Sequence, residues 1–96
     1  MITIDEAIRI GKEELKRYNY SGLKKDLNIE VDEDNSRWIK YIEHTPSMKK
    51  SLKGIDPNSK DYYAVYFGPK ELQLGGDAWV LVNRKSGTVI HLFFGR

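Results

Sequence analysis

The chain has 96 residues, no cysteine and a formal net charge of +2, which is the size of one domain and excludes disulfides, cysteine-ligated zinc and thiol catalysis. The charge is divided unevenly, with eight basic and ten acidic residues in 1–48 and eight basic and four acidic residues in 49–96. We predict a single domain over residues 1–96, a cytoplasmic location, no signal peptide and no membrane-spanning segment.

The first predicted element is a helix that begins after Thr3. Thr3 and Glu6 have the spacing of a capping box, in which each side chain accepts a hydrogen bond from the backbone N–H of the other residue. Apolar residues and one glycine then recur at spacings of three and four and form a single stripe: Ile4, Ala7, Ile8, Gly11, Leu15 and Tyr18. The glycine in this stripe predicts the close approach of another element.

From residue 28 the pattern changes to the alternation that is typical of strands. Five short segments are rich in β-branched or aromatic residues: NIEVD, RWIKYIEH, DYYAVYF, DAWVLVN and TVIHLFF. We predict a hairpin around Asp34-Asn35-Ser36 and a second hairpin that Gly87 closes through a bulge. Residues 44–60 form a long loop.

This order of elements predicts an α+β fold. One N-terminal helix packs on a single, mostly antiparallel sheet of four to five strands, an arrangement compatible with a cone-like shape. The pair Gly75-Gly76 lacks the Gly-Lys-Ser/Thr and the following helix of a phosphate-binding loop. We therefore interpret these glycines as a sharp backbone turn into the next strand.

The two histidines, His44 and His91, have no metal-ligand spacing, and we predict neither a metal nor another cofactor. Two histidines with a lysine or an arginine suffice for the acid–base chemistry of a metal-free ribonuclease, and small bacterial ribonucleases resemble this order of helix and sheet. However, His91 shares strand parity with Val89 and Phe93, which favours a half-buried structural histidine. We therefore predict that the protein is not an enzyme and keep a His44/His91 nuclease as the alternative.

Acidic residues cluster around the first predicted hairpin, and two aromatic residues follow them. Such a cluster is either a solvated turn or a patch that steers a basic protein surface, with the aromatic side chains as anchors. The candidate partner-binding residues are Glu30, Asp32, Glu33, Asp34, Trp38 and Tyr41. Basic residues flank the 44–60 loop, but the nearly balanced total charge argues against nucleic acid as the partner.

Three stretches carry a resemblance to a known group of proteins: ITIDEAIRIGKEEL, RWIKYIEH and GGDAWVLVNRKSGTVI. Together they resemble small bacterial immunity proteins of polymorphic toxin systems. One matching pattern is the immunity protein 35 family, which includes YrhB-like proteins. The other is the set of short immunity proteins with a nuclear-transport-factor-like cone.

The resemblance implies a noncatalytic cytoplasmic protein that binds one bacterial toxin domain and blocks it. In that case Glu30, Asp32, Glu33 and Asp34 make the electrostatic contact, and Trp38, Tyr41 or the 44–60 loop supply apolar anchors. The partner is then a toxin protein, without nucleic acid or membrane. The protein is a monomer, or a homodimer that pairs through the apolar final strand.

Overall fold

The computed structural model describes residues 1–18, 27–33, 36–46, 50, 54–56, 59–69 and 77–94. Its elements, in chain order, are helix α1 (Ile4–Arg17), strand β1 (Leu27–Asp32), helix α2 (Ser36–Glu43), and strands β2 (Tyr62–Pro69), β3 (Ala78–Asn83) and β4 (Val89–Phe94). The strands form one open antiparallel sheet in the order β1-β2-β3-β4. The predicted α+β fold is confirmed. No helix within the described ranges is long and apolar enough to cross a membrane.

Helix α1 begins as predicted, with Thr3 as its N-cap. The Thr3 hydroxyl accepts a hydrogen bond from the Glu6 backbone N–H at 3.1 Å, and the Thr3 N–H donates to Glu6 Oε1 at 3.4 Å. The buried side of the helix packs on alternate residues of β2 and β3, namely Tyr63, Val65, Phe67, Ala78, Val80 and Val82. The capping box therefore starts the helix where its apolar stripe meets the sheet.

Gly11 lies where α1 comes closest to the sheet, which confirms the predicted close approach. A Cβ atom at this position would stand 2.9 Å from both Cε2 and Cζ of Phe67. Phe67 is fully buried, so its ring has no free space into which to move. Only a residue without a side chain allows this distance between helix and strand.

The prediction of a strand at RWIKYIEH is wrong, because residues 36–43 form helix α2. The predicted hairpin around Asp34-Asn35-Ser36 is therefore also wrong, although Asp34 and Asn35 themselves lie outside the described residues. Trp38 and Ile42 are both buried and are four residues apart, as one face of a helix requires. The carboxylate of Asp32 accepts a hydrogen bond from the Trp38 backbone N–H at 2.8 Å and satisfies a donor of the first turn.

Helix α2 covers the face of the sheet opposite to α1. Trp38 and Ile42 pack on Tyr62, Ala64, Trp79, Leu81 and Phe93, which alternate along the strands with the residues under α1. The Trp38 ring lies 5.1 Å from that of Trp79 and 5.4 Å from that of Phe93. Its indole N–H donates to the Tyr62 hydroxyl at 3.0 Å. The sheet thus contributes to two separate cores, one on each face.

The hairpin between β3 and β4 has the predicted closure. Gly87 has a φ of 77°, and the Asn83 side-chain oxygen accepts from the backbone N–H groups of Lys85 and Ser86 at 2.8 and 3.0 Å. Its left-handed conformation is one that glycine adopts without steric strain. The predicted bulge at Gly87 is confirmed as well, because the Asn83 carbonyl accepts from the Gly87 N–H at 2.9 Å while the Asn83 N–H donates to the Thr88 carbonyl at 2.8 Å, so that two residues oppose one. A second bulge, which was not predicted, shifts the register between Leu81 and Val82.

The second bulge, at Ile90, changes which way His91 faces. Val82 pairs with Val89 and Leu81 pairs with His91, so Ile90 is the extra residue in β4. Val89 packs on the α1 side, whereas the His91 ring lies 4.2 Å from Phe93 on the α2 side. The predicted shared parity of His91 with Val89 is wrong because a bulge interrupts the alternation. The side chain is half-buried, as expected.

Replacement of Asp32 by alanine is expected to lower the free energy of unfolding by about 1–2 kcal/mol, since it removes the acceptor for the Trp38 N–H. Asp32→Asn keeps an oxygen at the same place and should lose clearly less. Urea denaturation followed by tryptophan fluorescence measures both changes. Equal losses for the two variants would mean that the charge of Asp32, and not its hydrogen bond to α2, is what matters.

Candidate binding groove beside helix α2

An open groove of about 590 Å³ lies between α2 and the sheet, and we call it the α2 groove. It is lined by Arg37, Lys40, Tyr41, His44, Thr45, Tyr66, Asp77 and Trp79. Helix α2 supplies its exposed wall, and the ends of β2 and β3 supply its floor. The groove exists because residues 36–43 form a helix that lies across these two strands.

Three aromatic rings form the inner surface of the α2 groove. Trp79 on β3 pairs across the sheet with Tyr66 on β2, and their ring centroids lie 5.1 Å apart at an angle of 58°. Tyr41, one helical turn after Trp38, places its ring 5.6 Å from Trp79 at an angle of 49°. Because Trp79 also rests on the buried Trp38 ring, these walls have a rigid support.

Asp77 directly precedes β3 and brings a carboxylate to the aromatic surface. Burial raises the pKa of Asp77 above its usual value, although its own backbone N–H opposes this in part. Burial also raises the pKa of both Tyr41 and Tyr66, and the nearby charge of Asp77 raises it further. The carboxylate therefore faces the two phenols in a poorly solvated place.

Two polar atoms at this inner surface are buried and, among the described residues, lack a hydrogen-bond partner. One is the acceptor Oδ1 of Asp77, and the other is the donor Nε1 of Trp79. Buried polar groups without a partner are rare, and each of them costs free energy in the folded state. A bound group that both donates and accepts hydrogen bonds would supply the missing partners of these two atoms.

The exposed side of the groove is basic. Arg37, Lys40 and His44 are all exposed along α2 and just after it. The Arg37 guanidinium forms an ion pair with Glu30 of β1, and its charge partly offsets the raised pKa of Tyr66. The groove thus has a basic outer rim and an acidic, aromatic inner surface.

The structure distributes the predicted acidic cluster over different environments. Glu30 is exposed and paired with Arg37, whereas Asp32 is buried and holds the first turn of α2. Glu33 is exposed, and its backbone carbonyl accepts from Arg84 at 2.7 Å. Asp34 lies outside the described residues. Only part of the cluster can therefore present negative charge to a partner.

Of the two predicted aromatic anchors, one is accessible and the other is buried. Tyr41 lines the α2 groove and is half-buried, so it is accessible to a partner. Trp38 is fully buried beneath Trp79 and Phe93 and has no surface to offer in the folded state. The physical reason is that Trp38 lies on the side of helix α2 that packs against the sheet. In the predicted strand, Trp38 and Tyr41 would instead have pointed to opposite faces of the sheet.

The structure does not place both histidines in the groove. His44 lines it, and His91 packs on Phe93 outside it. In the described part of the chain, no three histidine, aspartate or glutamate residues are placed to hold a metal ion. The lining residues that sequence reasoning missed include all three from the sheet side of the groove, namely Tyr66, Asp77 and Trp79. One signal for them is present, since Asp77 and Trp79 share strand parity at the start of an otherwise apolar strand.

Comparison with known proteins returns no relatives. No family model matches the chain, and no curated protein or solved structure is significantly similar to it. The resemblance to immunity proteins stays a prediction. A proposal for the function must therefore be argued from the geometry of the α2 groove.

Replacement of Asp77 by asparagine is expected to stabilise the protein at neutral pH. Because burial raises the pKa of Asp77 in the folded state, ionising this carboxyl costs more free energy in the folded protein than in the unfolded chain. The protein therefore loses stability as the pH rises from the ordinary pKa of 3.8 through the raised pKa of the folded state. The gain in Asp77→Asn should therefore disappear at acidic pH. Urea denaturation at a series of pH values, with Asp61→Asn as the exposed control, measures this difference. A gain that does not change with pH would contradict it.

Proposed function

We propose that the protein is a noncatalytic binding module that takes a protein partner into the α2 groove. The observation that supports this most directly is the aromatic inner surface with its unmatched acceptor and donor, Asp77 Oδ1 and Trp79 Nε1. Tyrosine, tryptophan and arginine are the residue types that contribute most to protein interfaces. A peptide backbone offers both missing partners, an N–H that can donate to Asp77 Oδ1 and a C=O that can accept from Trp79 Nε1.

The form of the groove favours a protein over a small ligand. Its outer wall consists of exposed side chains of a short helix, so it does not enclose an occupant. The unmatched atoms are themselves covered in the unbound protein, so a partner can reach them only after a change of side-chain rotamer. Such rotamer changes with little backbone movement are common when proteins associate.

In the immunity interpretation, the partner is a bacterial toxin domain in the cytoplasm, and binding blocks the toxin by occlusion. Among the described residues, Glu30 and Glu33 are the exposed members of the predicted acidic patch, and the half-buried Tyr41 is its accessible aromatic anchor. Glu30 contacts Arg37 on the rim of the groove, so the patch and the groove form one continuous surface. A single partner is able to contact both.

Titration with the protein encoded next to this gene tests the proposal. Tight one-to-one binding that silences a toxic activity supports it. In the same assay, Tyr41→Ala should weaken binding by about thirty-fold or more, the loss expected for a central aromatic anchor.

The matched control is Tyr18→Ala, because Tyr18 is an accessible tyrosine that lies outside the groove, at the end of α1 against Phe94. It should bind the partner like the unchanged protein. Circular dichroism establishes that both variants are folded. If neither Tyr41→Ala nor Tyr66→Ala weakened tight binding, the interface would lie elsewhere, and the proposal that the partner binds in the α2 groove would be rejected.

The alternative function, a metal-free nuclease, has one observation in its favour. His44, Arg37 and Lys40 line the same groove, which is a set of groups suited to a phosphodiester. An RNA-cleavage assay of the isolated chain decides, with His44→Ala as the test and His91→Ala as the variant outside the groove. Cleavage that His44→Ala abolishes would establish the enzyme, and absence of cleavage would reject it.

A further inference from the structure

We infer that the inner, Asp77 end of the α2 groove binds the guanidinium group of an arginine side chain on the partner. The inference rests on the proposed function and adds the chemical identity of the group that enters the groove. It depends on three features of the described residues: an ionisable group without a counter-charge, a set of ring faces around it, and the separation of this end from the basic rim.

The first feature is the unpaired charge of Asp77. Among the described residues Asp77 forms no ion pair, and the arginine on the groove rim, Arg37, is paired with Glu30 instead. The pKa of Asp77 is raised by burial, and no described basic group contributes to lower it. A half-buried carboxylate in this condition gains most from a cation that brings its own N–H donors.

The second feature is the aromatic surface beside this carboxylate. The rings of Tyr41 and Tyr66 flank Trp79 at 5.6 and 5.1 Å and are tilted from it by 49° and 58°. Ring faces attract cations, and because Trp79 is only 4% exposed, the ring faces that a cation can reach are those of Tyr41 and Tyr66. A planar guanidinium can stack on such a face and still direct two N–H groups at a carboxylate, which a compact ammonium cannot do equally well.

The third feature is that the basic rim does not occupy this end. Arg37 is paired with Glu30, and although its charge lowers the pKa of Tyr66, no described basic group acts on the pKa of Asp77. The rim therefore leaves the acidic end of the groove open to an arginine from outside. The indole N–H of Trp79, which is buried without a partner in a residue that lines the groove, is a reporter of occupation.

The same type of contact occurs within the molecule on the other side of the sheet. The Arg84 guanidinium lies 4.4 Å from the centroid of the Tyr63 ring and donates to the backbone carbonyls of Tyr62 and Glu33 at 2.9 and 2.7 Å. This contact combines the approach of the guanidinium to a tyrosine ring with hydrogen bonds from its N–H groups to carbonyls. The α2 groove offers the same combination, with a carboxylate in place of the carbonyls.

The test uses N-acetyl-arginine amide as the probe and N-acetyl-citrulline amide as its neutral counterpart of nearly the same shape. Each is titrated into ¹⁵N-labelled protein while the indole N–H signal of Trp79 is followed, with Trp79→Phe used to assign it. We expect a saturable shift with the arginine probe. Affinity should fall by about ten-fold or more for the citrulline probe and for Asp77→Asn, since each removes one of the two charges. Asp61→Asn should behave like the unchanged protein.

An arginine probe that causes no shift up to its solubility limit, or that binds no better than the citrulline probe, would overturn the inference. Because this titration needs no partner, its failure is distinguishable from failure of the proposed function. A partner that binds through Tyr41 while the arginine probe does not bind would reject the guanidinium site alone.

Discussion

Replacement of Trp38 by alanine is expected to lower the free energy of unfolding by about 3–5 kcal/mol. The side chain is fully buried, packs on Trp79 and Phe93, and donates its indole N–H to Tyr62. Stabilities of small domains are only about 5–15 kcal/mol, so much of the population should unfold at moderate temperature. Thermal and urea denaturation, followed by circular dichroism, measure the loss.

Two further variants separate the contributions of Trp38. Trp38→Phe keeps an aromatic ring in the core but removes the hydrogen bond to Tyr62, so it should lose less than the alanine variant. Tyr18→Ala removes an aromatic side chain that is 60% exposed and should change stability by less than about 0.5 kcal/mol. If Trp38→Ala were as stable as Tyr18→Ala, then α2 would not pack on the sheet as described.

Replacement of Gly11 by leucine is expected to cost about 3 kcal/mol, at the upper end of what overpacking of a core usually costs. The first atom of the new side chain would already stand 2.9 Å from two ring atoms of Phe67. The higher helix propensity of leucine offsets only about 1 kcal/mol of that. Either α1 moves away from the sheet or the Phe67 ring leaves its position. Urea denaturation gives the change in free energy.

A double-mutant cycle checks that Phe67 is the cause. Gly11→Ala and Phe67→Leu, made separately and together, should be far from additive, because the shorter leucine removes the ring atoms that the new methyl group meets. The double variant should be more stable than the sum of the two single changes predicts. Additive changes would mean that another contact limits the residue size at position 11.

The parts of the fold that sequence reasoning predicted are those set by neighbours in the chain. Thr3 and Glu6 cap each other across three residues, and Gly87 closes a turn whose hydrogen bonds reach back only to Asn83. Strands β2 and β3 are clear because both of their faces are buried, so nearly every residue is apolar or aromatic. In each of these elements, local chemistry and tertiary packing favour the same structure.

Helix α2 was missed because its sequence is compatible with two structures. RWIKYIEH is rich in residues that favour strands, and eight residues are too few to separate a period of two from a period of 3.6. The choice is made by contacts from outside the segment. Asp32 accepts the Trp38 N–H, and Tyr62 accepts its indole N–H. These partners become visible only when the chain is folded.

Most of the candidate site could not be predicted for the same reason. Tyr41 was predicted as an anchor from its place near acidic residues, and it does line the groove. However, Tyr66 and Trp79 belong to separate strands, and only the sheet register places them side by side. Asp77 gains its unusual environment from burial, which depends on where α2 lies. A site that requires two strands and a helix in register cannot be read from the spacing of residues along one segment.

The order of the strands has a consequence for how the chain is made. Helix α1 is synthesised first, but the surface on which its apolar side packs consists of β2 and β3 and is not complete until residue 83 has been added. During translation, Ala7, Ile8 and Leu15 therefore remain without their partners while most of the chain emerges from the ribosome. The acidic first turn and the charged opposite face of α1 keep this early helix from being purely apolar. The 2.7 Å hydrogen bond from the Ile2 N–H to the Arg84 carbonyl is another contact of this segment that requires residue 84.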